Sequence, residues 1–303
     1  MNLYKKFLIQ TYNIGIIKKP IGKILNNGIG KGDIVWLKHS FKDRFFADPF
    51  MIKEDNDYYY ILVEEFLFWE EKGKITLLKI RKVDFSLVER KIVIEEPTHL
   101  SFPFCELNGT TIVPESIFSG KTKEYSIDLD TMTVVKSRVI LNEGLIDAAF
   151  YADKQGNKWI FAARMNNPKE DMYMYLLNES LYEPLKNGNV IDHSIEETRS
   201  AGRLFEFNGN LYRPVQDSTQ RYGRQTRIMK IDKLNKTEYK ASCVQVINGK
   251  DNPPYNETLH TFNVYDDCVI IDGSKDYVRF PMKILYKKCR WLFKKKGSEF
   301  FSV

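Results

Sequence analysis

The feature that most constrains this chain is an internal repeat with a period of about 50 residues. Five stretches share one pattern, in which an apolar turn carrying a polar residue leads to a Phe or Val, a polar hairpin turn and a second strand. They are FADPFMIKEDNDYYYILVEE (46–65), SFPFCELNGTTIVPES (101–116), DAAFYADKQGNKWIFAAR (147–164), AGRLFEFNGNLYRPVQD (201–217) and HTFNVYDDCVIIDG (260–273). Anchored on Phe50, Phe104, Phe150, Phe205 and Val264, the units are spaced by 54, 46, 55 and 59 residues. Each hairpin has turn chemistry at its centre, including Asn108-Gly109 and Asn208-Gly209, and Asn-Gly between apolar runs is a strong hairpin signal. Further strand-like runs follow, such as KITLLKIRKV (74–83) and RQTRIMKIDKL (224–234). Four strands per unit, five times over, predict an all-β, five-bladed β-propeller over residues 33–280, with short basic extensions at 1–32 and 281–303.

In such a propeller the first strand of each blade lines the axis. The residues just before it, and those ending the second strand, face one axial pocket. Those positions hold polar residues that a scaffold alone does not need. Asp48, Asp147, Arg203 and His260 open blades, and Glu64-Glu65, Glu115, Arg164 and Gln216-Asp217 end second strands. Carboxylates crowded around one pocket repel, so at least one keeps its proton while another ionises. That is the acid and base pairing glycosyl chemistry uses. Asp48, Asp147, Glu115 and Glu65 are the catalytic candidates. The competing role for Asp48 and Asp147 is structural, capping blade turns by accepting backbone N–H bonds. His99, Arg164, Arg203, Gln216, Asp217, Tyr222, Arg224 and His260 are the candidate substrate-binding residues. Phe46, Phe102, Tyr212 and Tyr222 are aromatic faces on which a sugar could stack. Arg221, Arg224 and Arg227 around Tyr222-Gly223 suit a phosphate or pyrophosphate, although no P-loop is present.

Composition narrows the classes. The net charge of +6 is a mild bias towards anionic partners and is too small to point to nucleic acid. The four cysteines and four histidines lack metal-ligand spacing, so neither a metal site, a cofactor nor a disulfide framework is expected. Polar residues 10–13 interrupt the apolar N-terminal run, which argues against a signal peptide, and no run of 18 apolar residues occurs. A cytoplasmic location is expected. The C-terminal KILYKKCRWLFKKKGSEFFSV reads as a basic amphipathic segment, suited to peripheral contact with the inner face of a membrane.

The Ala47-Asp48-Pro49-Phe50 opening resembles the first blade of the five-bladed propeller glycosidases of the arabinanase/xylosidase and invertase groups. The resemblance implies a first-blade Asp as base or nucleophile, matched by Asp48. It also implies a tuning Asp from a later blade, matched by Asp147, and a Glu as acid. The fourth blade opens with Ala201-Gly202-Arg203 where a hydrolase acid would be welcome, which argues against simple hydrolysis. Over about residues 33–275, the strings FADPF, LVEE, HLSFPF, VPES, IDAAF, SAGRLFEFNGNLYRPVQDSTQRYGR and LHTFN resemble the N-terminal module of glucosamine inositolphosphorylceramide transferases and its bacterial envelope-sugar relatives. That resemblance implies a propeller in glycan assembly, with an activated, phosphate-bearing sugar donor and a glycan or glycolipid acceptor. A glycosyltransferase in cell-surface polysaccharide synthesis is the first expectation. A glycoside hydrolase of the arabinanase type and a non-catalytic glycan-binding propeller are the alternatives.

Overall fold

The computed structural model describes residues 8–179 and 181–278. Five antiparallel sheets stand around an axis, one per predicted unit. The first blade runs Arg44–Glu54, Tyr58–Leu67, Lys72–Arg81 and Ser86–Ile94 from the axis outward. The second is Ser101–Cys105, Thr111–Glu115, Thr122–Asp128 and Thr133–Leu141. The third is Ile146–Ala152, Lys158–Ala163, Asp171–Asn178 and Leu181–Pro184, with Asp192–His193 also pairing on its third strand. The fourth is Phe205–Phe207, Asn210–Asp217, Gln225–Leu234 and Tyr239–Ile247.

The fifth blade corrects the expected N-terminal boundary. Its inner strands are Phe262–Val264 and Val269–Val278, but its outer two are Leu8–Ile17 and Ile34–Trp36 from the other end of the chain. Leu8–Ile17 pairs with Val269–Val278 over ten residues in unbroken register. Residues 8–32 are therefore not an appendage but part of the closing blade, followed by the helix Ile21–Asn27. Joining N-terminal and C-terminal strands in one sheet closes the ring and covers the long edge of Val269–Val278, leaving only the short Ile34–Trp36 at the rim. The C-terminal segment 281–303 lies outside the described residues.

Burial explains why the strands read as they do. Inner strands are covered on both faces by neighbouring blades, so Tyr58–Leu67 is nearly continuously apolar until its acidic end. Outer strands such as Thr133–Leu141 are mostly exposed and carry Lys136 and Arg138, which discourage edge pairing. The repeat anchors meet around the axis. The Phe50 ring lies 4.9 Å from Phe102 and 5.7 Å from Phe104, and Phe104 lies 5.1 Å from Phe150.

Candidate active site at the propeller axis

The site is built by one local device used in three blades. Each innermost strand carries a β-bulge, between Ala47 and Phe50, Ser101 and Phe104, and Ile146 and Ala149. The bulged residues Asp48, Phe102 and Asp147 have φ of 50°, 42° and 46°. This left-handed region is uncommon for any residue with a Cβ, but Asp visits it more readily than most. A bulge turns the peptide away from the ladder and leaves its N–H without a strand partner. A neighbouring carboxylate satisfies it each time. Asp48 N–H donates to Asp272 Oδ2 at 3.0 Å, Phe102 N–H to Asp48 Oδ2 at 3.1 Å, and Asp147 N–H to Glu115 Oε2 at 3.1 Å. The capping role is real, and it is what draws the carboxylates of adjacent blades together.

Strand alternation decides which acid faces the axis. Glu64 and Glu65 are neighbours on Tyr58–Leu67, so they point to opposite faces. Glu65, a catalytic candidate from sequence, points into the first blade. It accepts from Arg44 and Arg90 at 2.6 Å each and from Thr76 at 2.7 Å. Although burial opposes its charge, those donors hold its pKa below the usual carboxylate range. Glu64 is the axial residue. Burial, with Asp48, Glu115, Asp272 and Asp147 nearby, pushes its pKa well above normal. The same rule sends Gln216 to the axis and Asp217 away from it, where Asp217 accepts from Gln225 at 2.8 Å and Arg227 at 3.0 Å.

Around the axis the groups form one coupled network. His260 lies between two carboxylates, with Nδ1 2.7 Å from Asp272 Oδ1 and Nε2 3.4 Å from Asp48 Oδ1. Burial disfavours its charge, but Asp272, Asp48 and Asp147 overcome this and raise its pKa to about 9. Asp48 is raised to about 6, by burial and by Asp272 and Asp147, against the opposing pull of His260. Burial and Asp147 raise Glu115 well above normal. Asp147 accepts from Arg199 at 2.5 Å and from Gln216 Nε2 at 2.8 Å. The Gln216 amide also donates to Ser200 O at 2.9 Å, while its buried Oε1 has no partner among the described residues. Tyr222 is placed against the His260 ring at 5.7 Å, with the Arg199 guanidinium 5.0 Å from its own ring centre. Gly223, with φ of 58°, makes that approach possible, because a Cβ there would collide with the His260 Cβ. The axis therefore holds an imidazolium at neutral pH between Asp272 and Asp48, two glutamic acids whose proton affinity is raised well above normal, and an aspartate raised to about 6.

Other candidates sit elsewhere. His99 lies behind Glu64: its Nδ1 accepts from Gly73 N–H at 2.9 Å, its Nε2 is 3.5 Å from Glu64 Oε1, and burial lowers its pKa. Arg164 is engaged in the third blade, by Glu143 at 2.7 Å and Gly188 O at 2.9 Å. Arg203 pairs with Glu106, beyond the far end of Ser101–Cys105 from the Glu115 side, and lies over the Tyr265 ring. Arg221 is held by Asp276 at 2.6 Å and Glu257 at 3.3 Å, and Arg224 donates to Glu257 O at 2.6 Å. Arg227 pairs with Glu196 at 2.5 Å. The expected phosphate-binding arginines thus each bond the protein's own oxygens, although the buried Nε of Arg203 has no partner among the described residues.

Asp272, Arg199 and Tyr12 are site residues that sequence reasoning did not select. Asp272 had a signal, since it is the penultimate residue of the fifth repeat unit just as Glu64 and Glu115 are of theirs. Arg199 precedes the fourth repeat in irregular chain, and Tyr12 comes from the closing strand, so neither had one. Asp48, His260 and Asp272 each offer a metal-ligand atom, all within 4.8 Å of one another. The raised proton affinity of His260 supplies positive charge at that point, so the trio is charge-compensated as built.

A family model described as glucosamine inositolphosphorylceramide transferase 1, N-terminal, matches residues 34–257. Over 215 residues the chain is 30% identical to the glucosamine inositolphosphorylceramide transferase 1 of Arabidopsis thaliana, a match covering 65% of this chain and 26% of that protein. It is 28% identical over 215 residues to the protein of the same name from Oryza sativa subsp. japonica, covering 66% and 28% respectively. The matched region thus spans little more than a quarter of the curated relatives' length. Among solved structures, the β-xylosidase RS223 superposes with a TM-score of 0.53 at 11% identity, over 76% of this chain and 92% of that one. At that identity the likeness speaks to the fold alone.

Proposed function

We propose that this chain, which belongs to the family of the glucosamine inositolphosphorylceramide transferase 1 N-terminal region, is a carbohydrate-active enzyme that transfers a glycosyl group from a phosphate-activated sugar to a glycan or glycolipid acceptor. The observation that carries the reading is the axial network, in which burial and neighbouring carboxylates push Glu64 and Glu115 well above the usual carboxylate range and raise Asp48 to about 6. A base with a pKa close to the working pH, beside acids held neutral, is what general acid–base catalysis needs. In the proposed step the acceptor hydroxyl oxygen attacks the anomeric carbon and the bond from that carbon to the phosphate oxygen breaks. The hydroxyl proton passes to Asp48. Glu64 and Glu115 donate hydrogen bonds to the departing phosphate and to sugar hydroxyls. The unpartnered Gln216 Oε1 is a ready acceptor for a sugar hydroxyl.

A glycan-binding role without chemistry is favoured by one observation: Asp48 and Glu115 each already spend a carboxylate oxygen on a bulge amide. The deciding experiment follows release of the phosphate-bearing leaving group from activated sugars by 31P NMR, with and without acceptor. Acceptor-dependent release that Asp48→Asn abolishes is the expected result. Cleavage of neutral arabino- or xylo-oligosaccharides instead would make the protein a hydrolase, and binding with no turnover would make it a lectin-like module. We place the enzyme at the inner face of a membrane, in contact through the basic segment 281–303.

A further inference from the structure

Beside the axial network lies a cleft of about 400 Å³, between the closing strand Leu8–Ile17 and the start of the first blade. Tyr12 is the wall between the two. It lines the cleft, and its ring is 5.0 Å from that of His260. The lining is basic and aromatic, with Lys42, Arg44 and Lys275 beside Tyr12 and Tyr255, and contains no carboxylate. Arg44 is neutralised by Asp43 and Glu65 at 2.6 Å each. Neither Lys42 nor Lys275 forms an ion pair within the described residues. Lys275 instead rests over the Tyr255 ring at 4.6 Å. His39 also lines the cleft, and its buried Nδ1 has no hydrogen-bond partner among the described residues. Lys42 and Lys275 are close enough to act on His39, which burial and those two charges hold below its ordinary pKa. Two unneutralised ammonium groups and an unpartnered buried nitrogen beside aromatic rings make a site suited to an anion. An ammonium group binds a phosphate as a point charge, and a neutral imidazole can donate to it or accept from its hydroxyl.

We propose that the cleft formed by His39, Lys42 and Lys275 is a phosphate-ester subsite, which holds the anionic end of a substrate whose sugar reaches the axial network past Tyr12. The assignment rests on the transferase reading and gives this cleft the phosphate contact that the sequence suggested for the arginines of 203–227, while Glu64 and Glu115 keep the phosphate oxygen bonded to the sugar. Two sources carry the same chemistry: the diphosphate of an activated sugar, and the phosphate headgroup of a lipid-linked acceptor.

Inorganic pyrophosphate is the first probe, titrated by calorimetry into wild type, Lys42→Ala/Lys275→Ala and Lys42→Arg/Lys275→Arg. We expect wild-type binding that weakens as salt rises, at least tenfold weaker binding in the alanine pair, and retention in the arginine pair. Unchanged melting of the alanine pair without ligand shows that folding is intact. Pyrophosphate that does not bind, or binds both proteins equally, overturns the subsite. Nucleotide-diphosphate sugars and vesicles containing phosphatidylglycerol then identify the source. Loss of sugar-nucleotide stabilisation in the alanine pair assigns the cleft to the donor, and selective loss of vesicle binding assigns it to the acceptor lipid. Sugar nucleotides and vesicles that both bind wild type and alanine pair alike remove the subsite but leave the transferase reading intact. That reading fails separately, if no activated sugar loses its phosphate in the 31P assay.

Discussion

His260 offers the sharpest test of the axial network. Its ordinary pKa of 6.5 rises to about 9, and Asp272, on its Nδ1, is the largest single charge responsible. A group whose pKa is raised on folding stabilises the folded state fully below its unfolded value, and that contribution is lost as the pH rises through the folded value. The window therefore runs from about pH 6.5 to about pH 9. At 1.36 kcal/mol per pH unit, the full swing is about 3 kcal/mol. For a chain this long, with an unfolding entropy of about 2 cal/mol/K per residue, that is a fall of about 5 °C in melting temperature. The perturbation is Asp272→Asn, which keeps the shape and removes the charge. It also weakens the caps on the Asp48, His260 and Thr261 amides, so stability falls at every pH. Only the pH-dependent part bears on the charge network. The assay is calorimetric melting of both proteins across the window, with side-chain NMR of the four histidines. Cysteine ionisation in the unfolded chains cancels in the difference. The expected result is a variant whose melting curve is flat relative to wild type, with a His260 pKa lower by about 1–3 pH units. Equal slopes in the two proteins, or a wild-type His260 that titrates near 6.5, would refute the reasoning.

Glu64→Gln keeps the shape of a buried acid whose proton affinity is raised well above normal, so melting should move by no more than a few degrees while phosphate release in the 31P assay is lost. Glu65→Gln should do the reverse, costing about 3–5 kcal/mol by calorimetry because Arg44 and Arg90 lose their shared buried carboxylate. Asp147→Asn should abolish turnover and also lower the melting temperature, because it strands the buried Arg199; adding Arg199→Met should restore stability but not activity. Deleting residues 281–303 should reduce sedimentation with anionic vesicles and leave soluble-substrate turnover unchanged.

The five hairpins were legible because strand and turn chemistry are local: Asn108-Gly109 and Asn208-Gly209 make tight turns whatever surrounds them. Repetition then fixed the blade number, since a four-stranded unit with two apolar faces must stack on its own kind. That Asp48 and Asp147 come together at the axis was legible for the same reason, since they lie at matched positions of a repeat. What sequence could not decide was direction. Whether Glu64 or Glu65 faces the axis depends on a single-residue register, and a bulge upstream can shift it. Nor could it tell which charges cancel. Arg203, Arg221 and Arg224 look like phosphate ligands in a string of letters, yet Glu106, Asp276 and the Glu257 carbonyl, all distant in the chain, already occupy them. Tyr12 and Lys275 join the site neighbourhood only because the two ends of the chain meet in one sheet, through long-range pairing that no local pattern records.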